Sequence, residues 1–142
     1  MKFWINIPNI SNEIKKLDYS EYLLGWFTFI HKNWAISIGK KNGFMVFITL
    51  EHLLNSILEL EKNPHKIQEV ILEDHGNTYR INQQNSRLKF IVKDNIFIAN
   101  KAEFIAAVKQ GTIKYLQKLK RLNSDIEQES YFKDISKIVQ NL

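Results

Sequence analysis

Apolar and polar positions alternate with a period of two over much of this chain, and the period lengthens to that of a helix in three places. Phe3-Trp4-Ile5-Asn6-Ile7, running up to Pro8, predicts a first strand over 3–7, because β-branched and aromatic residues lead to one that cannot donate to a ladder. Residues 11–17 predict one or two helical turns. Residues 21–31, EYLLGWFTFIH, are apolar almost throughout, and Gly25 weakens a helix, so a buried strand is expected at 26–30. Trp34, Ile36 and Ile38 then alternate with Ala35 and Ser37, and Asn42-Gly43 is the strongest hairpin signal in the chain. Strands at 34–38 and 44–48 are predicted as its two arms, the second apolar enough to be covered on both faces.

Thr49 is the expected cap of a helix over 50–62, where Leu50, Leu53, Leu54, Ile57 and Leu58 form one stripe and Asn63-Pro64 ends it. Strands at 67–73, 78–82, 87–93 and 96–99 follow, separated by DHGN, QQNS and Asp94-Asn95, which is the pattern of an antiparallel meander. Asn100 with Glu103 has the spacing of a capping box and opens a helix to about 122; Ser124 with Glu127 repeats the device for a last helix to about 140. The expected fold is α+β: a single domain at 1–142 with an antiparallel sheet of about six or seven strands, one intervening helix and two C-terminal helices.

Composition adds limits. With 142 residues, 44% hydrophobic and 25% charged, the chain is long enough to bury a core of its own. No apolar run approaches the roughly 18 residues of a membrane span, and the N-terminal residues lack the pattern of a signal peptide, so a cytoplasmic protein with no membrane association is expected. The absence of cysteine rules out disulfides, thiolate catalysis and cysteine-based zinc sites. The net charge of +5 is localised: between 101 and 121, Lys101, Lys109, Lys114, Lys118, Lys120 and Arg121 stand against Glu103 alone, and the rest is neutral.

Candidate chemistry is sparse. His31, His52, His65 and His75 have no metal-ligand spacing, and the densest polar group, Glu73-Asp74-His75, runs into Gly76-Asn77, a turn signature. No serine lies in G-x-S-x-G or opens S-x-x-K, and the five glycines are scattered singly, so no phosphate-cradling loop is formed. No catalytic residue, metal ligand or cofactor is assigned, and an enzyme is not expected unless its site is assembled from distant residues.

Two stretches raise a nucleic-acid reading. KKNGFMVF resembles the ribonucleoprotein motifs in which a basic residue and glycine precede base-stacking aromatics. Those aromatics share a strand face two residues apart, whereas Phe44 and Phe47 are three apart and a strand sends them to opposite faces. In the long helix, Phe104, Ile105, Val108, Thr112, Tyr115, Leu116, Leu119 and Leu122 form a core stripe flanked by Lys114, Lys118 and Arg121 on one side and Lys109 and Lys120 on the other. Lysine stems lying along a core-facing helix explain that spacing; Lys109, Lys114, Lys118 and Arg121 remain the candidate anion-binding residues.

A small chain rich in Lys, Asn and Ile, with aromatics gathered in its N-terminal half and no catalytic motif, resembles the immunity proteins of bacterial polymorphic toxin systems, including those of contact-dependent growth inhibition. The resemblance implies a cytosolic protein that binds one cognate toxin domain tightly and covers its active site or blocks its substrate. An inhibitor of a basic nuclease would be acidic, so this basic chain requires either a toxin that is acidic or neutral at the contact, or a contact through its own acidic groups. Glu59 with Glu61 and Glu73 with Asp74 are the candidates for the latter, since Asp125 and Glu127 are accounted for by a helix start. The exposed tip Lys40-Lys41-Asn42-Gly43 is the other candidate contact. The competing classes are a nucleic-acid-binding or regulatory protein acting through the basic helix, and an enzyme with a dispersed site.

Overall fold

The computed structural model describes residues 1–8, 10, 23–71, 78–92 and 94–142. The expected turns at 11–17 and the DHGN turn, with Glu73, Asp74 and His75, lie outside the described residues. The α+β class holds, and the strands divide between two antiparallel sheets rather than one. The first contains β1 (Lys2–Asn6), β2 (Leu24–Ile30), β3 (Ala35–Ile38) and the short β4 (Phe44–Met45); the second is the expected meander of β5 (Gln68–Ile71), β6 (Thr78–Gln84), β7 (Arg87–Val92) and β8 (Asn95–Asn100). Helix α1 (Val46–Lys62) joins the sheets, and α2 (Lys101–Leu122), a 3-10 turn (Ser124–Gln128) and α3 (Ser130–Gln140) complete the chain. Among the described residues no helix is long and apolar enough to cross a membrane.

Period-two alternation gives the first sheet two distinct faces. Phe3, Phe27, Phe29 and Ile38 point inwards and are buried. Phe29 is the hub of an aromatic core: its ring lies 4.8 Å from Phe3, 5.3 Å from Phe90 of the second sheet and 5.7 Å from Phe104 of α2. One strand residue therefore ties both sheets to the long helix. Helix α2 approaches β1 so closely that a Cβ at Gly111 would overlap the carbonyl oxygen of Phe3. The α2 residues Phe104, Val108, Thr112, Tyr115, Leu116 and Leu119 are all buried, as the stripe predicts.

Four local expectations fail. The 44–48 strand ends at Met45, and Val46 begins α1, whose buried stripe of Val46, Phe47, Leu50, Leu53, Leu54, Ile57 and Leu60 runs without interruption. β propensity at 44–48 is overridden by a helical pattern that starts earlier than Thr49. Thr49 is inside the helix, where its hydroxyl donates to the Met45 carbonyl at 2.8 Å instead of capping, and the first helical N–H, that of Val46, donates to the Leu23 carbonyl at 3.0 Å. Phe44 and Phe47 are thus excluded from base stacking, as expected, because both are buried rather than because a strand splays them apart.

The hairpin fails with the strand. β3 and β4 do not pair with each other; both pair antiparallel with β2, Ile38 opposite Phe27 and Phe44 opposite Gly25. On β2 only Trp26 separates these two ladder segments, whereas residues 39–43 are looped out on the other side. At the C-terminal end, Asn100 caps α2 as expected, its Oδ1 accepting from the N–H groups of Ala102 and Glu103. The last helix is divided: Asn123, not Ser124, caps a 3-10 turn by accepting from Asp125, and extended backbone at Glu129 precedes α3.

Candidate functional site

The outward face of the first sheet is built from the residues that alternate with the core. Leu24, Trp26, Thr28 and Ile30 of β2 share it with Lys2, Trp4 and Asn6 of β1 and with Ala35 and Ser37 of β3. Trp4 is 53% exposed, Leu24 55% and Ile30 41%, while Trp26 is half-buried. The register places Trp4 opposite Thr28, so Trp26 and Ile30 are its diagonal neighbours, about 7–8 Å away in an antiparallel sheet. A hydrogen-bonded row crosses the same face: Asn6 Nδ2 donates to Thr28 Oγ1 at 3.2 Å, and the Thr28 and Ser37 hydroxyls lie 3.1 Å apart. The result is an ordered surface with large apolar side chains and a short polar row.

The described segments that build this face carry charge of one sign. Residues 1–8 and 23–50 contain no aspartate or glutamate, and their ionised side chains are Lys2, Lys32, Lys40 and Lys41. Lys2 and the exposed Lys32 stand at the Ile30 end of β2, and Lys40 and Lys41 stand at the Leu24 end, in the 39–43 loop. The outward face of the second sheet differs, since there Arg80 faces Glu69 at 3.5 Å.

Trp34 is not part of this surface. Its indole N–H donates to the carbonyl of Ile98 on β8 at 3.3 Å, and its ring lies 5.2 Å from His31 and 5.1 Å from Phe97. That tryptophan joins the edges of the two sheets. The tryptophans of β1 and β2 are left for the outward face.

No family model, curated protein or solved structure matches the chain.

The remaining candidate residues are dispersed. Lys40, Lys41 and Asn42 are exposed at the loop tip, as expected. Glu59 and Glu61 are two apart on α1 and so point to nearly opposite sides of the helix: Glu59 accepts from Asn63 Nδ2 at 3.5 Å, and Glu61 lines a hollow with Lys101 and Lys109. They do not form an acidic patch. On α2, Lys114, Lys118 and Arg121 are exposed and Lys109 is half-buried, while Lys120 is paired with Glu127 at 2.7 Å. Among the described residues, no group of three or more histidine, aspartate or glutamate side chains is placed to hold a metal ion. The open face of the first sheet escaped the sequence reading because its signal spans two strands: Trp4 and Trp26 become neighbours only through the register of β1 with β2.

Proposed function

We propose that this protein is an immunity protein, a cytosolic binder that neutralises a cognate bacterial toxin domain by docking it on the outward face of the first sheet. The observation that carries this reading is the exposure of Trp4, Leu24 and Ile30 on the sheet face opposite the buried Phe3, Phe27 and Phe29. Protein interfaces draw most of their energy from a few such anchors, tryptophan above all, ringed by polar residues that exclude water. Leu24 and Ile30 favour a protein over a nucleic acid, because exposed aliphatic side chains give bases nothing to stack on. The basic surround supports the first of the two charge arrangements that the composition leaves open, a toxin that is acidic or neutral at the contact, with Glu59 and Glu61 taking no part.

Co-expression with the polypeptide encoded immediately upstream tests the proposal. A stable complex that co-elutes at fixed stoichiometry and relieves that polypeptide's toxicity is expected. The second reading, nucleic-acid binding, draws on the exposed row Lys114, Lys118 and Arg121, for which no ion pair occurs among the described residues. It predicts a gel shift on mixed DNA and RNA that weakens steeply with salt; such a shift, with no complex formed, would overturn the immunity reading.

A further inference from the structure

The loop at 39–43 is more than a connection. The ladder on β2 passes from Phe27 to Gly25 with a single residue between, so the opposite strand could continue from Ile38 to Phe44 with far fewer than the residues it uses. The inserted residues leave the sheet and close on themselves: the N–H of Gly43 donates to the carbonyl of Gly39 at 2.7 Å. Both glycines have left-handed backbone, with φ of 81° at Gly39 and 75° at Gly43, a conformation other residues adopt only with strain. The root is also clamped from below. A Cβ at Gly39 would overlap the ring of Phe44, and that ring is buried edge-on against Phe27 with centroids 4.7 Å apart.

What this fixed root carries is two adjacent lysines, both exposed. Their mutual repulsion is not relieved by any carboxylate in residues 23–50. A loop that the ladder does not require, shaped by two glycines in a backbone conformation that other residues adopt only with strain, and tipped with two lysines for which no ion pair occurs among the described residues, is organised for something outside the chain. It stands at the Leu24 end of the open apolar face, so whatever covers that face meets the lysines.

We propose that the Lys40-Lys41 loop is an arm that enters an acidic cleft on a protein partner docked on the outward face of the first sheet. This rests on the protein-binding reading above and adds the chemistry of the partner's contact surface. Charge complementarity selects the occupant. A second copy of this chain would set lysine against lysine, and single-stranded nucleic acid would leave Leu24 and Ile30 uncovered. A fixed loop suits a cleft better than a flexible one does, because its ordering is complete before the partner arrives.

The test uses the full chain and the polypeptide encoded immediately upstream, with association and dissociation rates measured at low and high salt. Lys40→Glu with Lys41→Glu should slow association at low salt by roughly tenfold or more and flatten its salt dependence, since charge at a contact acts first on encounter. Lys114→Glu, Lys118→Glu and Arg121→Glu combined should leave both rates within about twofold of the parent if encounter depends on the loop alone. Both variants change only exposed side chains, and unaltered thermal unfolding checks that they fold. A complex that forms with the parent and is indifferent to Lys40→Glu and Lys41→Glu overturns the inference while the immunity reading stands. Failure of the parent to form any complex overturns both. Self-association through this face, or binding of a 20-nucleotide oligo-dT that the loop variant abolishes, assigns the loop to another occupant and also overturns the inference.

Discussion

The two faces of the first sheet are made by the same strands from residues of similar character, and only one is sealed. On the inner face Phe3, Phe27 and Phe29 disappear into a core shared with the second sheet and α2. On the outer face Trp4, Leu24 and Ile30 stay in contact with water, although their side chains are also large and apolar. Folding explains the first set completely, because each buried aromatic removes apolar surface from water and gains close-packed neighbours. It does not explain the second. Alternation alone would be satisfied by Thr or Ser at those positions, as it is at Thr28 and Ser37, and the apolar outer residues are the ground for the proposed contact surface.

Substitutions on the two faces should separate stability from binding. The largest stability effect is expected at the hub: Phe29→Ala removes a ring that touches both sheets and α2, and should lower the unfolding free energy by about 3–5 kcal/mol in urea titrations. A loss under about 1 kcal/mol would show that the inner face is not the core that the packing implies. Gly111→Ala comes next, at about 1–3 kcal/mol, because the new methyl meets the Phe3 backbone, which cannot move without shifting β1. That variant probes whether α2 is fixed on the sheet or free to ride away from it. Removing the α2 cap with Asn100→Ala should cost about 1 kcal/mol, as two helical N–H groups lose their acceptor.

Tyr115 sharpens the contrast through pH. Burial, with a smaller contribution from the neighbouring Tyr131, raises its phenol well above the ordinary tyrosine range, and its hydroxyl has no hydrogen-bond partner among the described residues. In the unfolded chain the group ionises near pH ~10, whereas in the folded chain it keeps its proton. The unfolded state thus holds fewer protons above that pH, and stability falls as pH rises through this range. Tyr115→Phe should abolish this share of the alkaline loss and match or exceed the parent's stability at pH 7, since no hydrogen bond is given up. The smallest stability effects belong to the outer face: Trp4→Ala and Ile30→Ser should each stay within about 0.5 kcal/mol of the parent.

Much of this architecture is legible in the chain because its signals are local. The strand signals of β1 and β3, the meander from β5 to β8, the Asn100 cap and the α2 stripe are each carried by one continuous segment, while β2, expected to be buried, is buried on one face only. The failures arise where local preference competes with packing. FMVFI prefers a strand, yet Val46 and Phe47 extend a helical stripe that must cover the sheets, and the helix prevails. Asn42-Gly43 marks a turn without saying which strands it joins, so a loop inserted along one edge of β2 reads as a hairpin. Ser124 with Glu127 has the right spacing for a cap, and Asn123, one residue earlier, takes the position. The candidate site was the least legible, because Trp4 and Trp26 share a face only once β1 and β2 are in register.

The central claim is that the outer face of the first sheet, and not the basic edge of α2, is where this protein meets its partner. The most direct test is the affinity of the Trp4→Ala, Ile30→Ser double variant for the polypeptide encoded immediately upstream, measured by calorimetry beside thermal unfolding of the variant alone. Loss of two anchors predicts a drop of about 2 kcal/mol or more, roughly thirtyfold in Kd, with unfolding unchanged. Parental affinity in that variant, with binding instead destroyed by reversing Lys114, Lys118 and Arg121, would contradict the account.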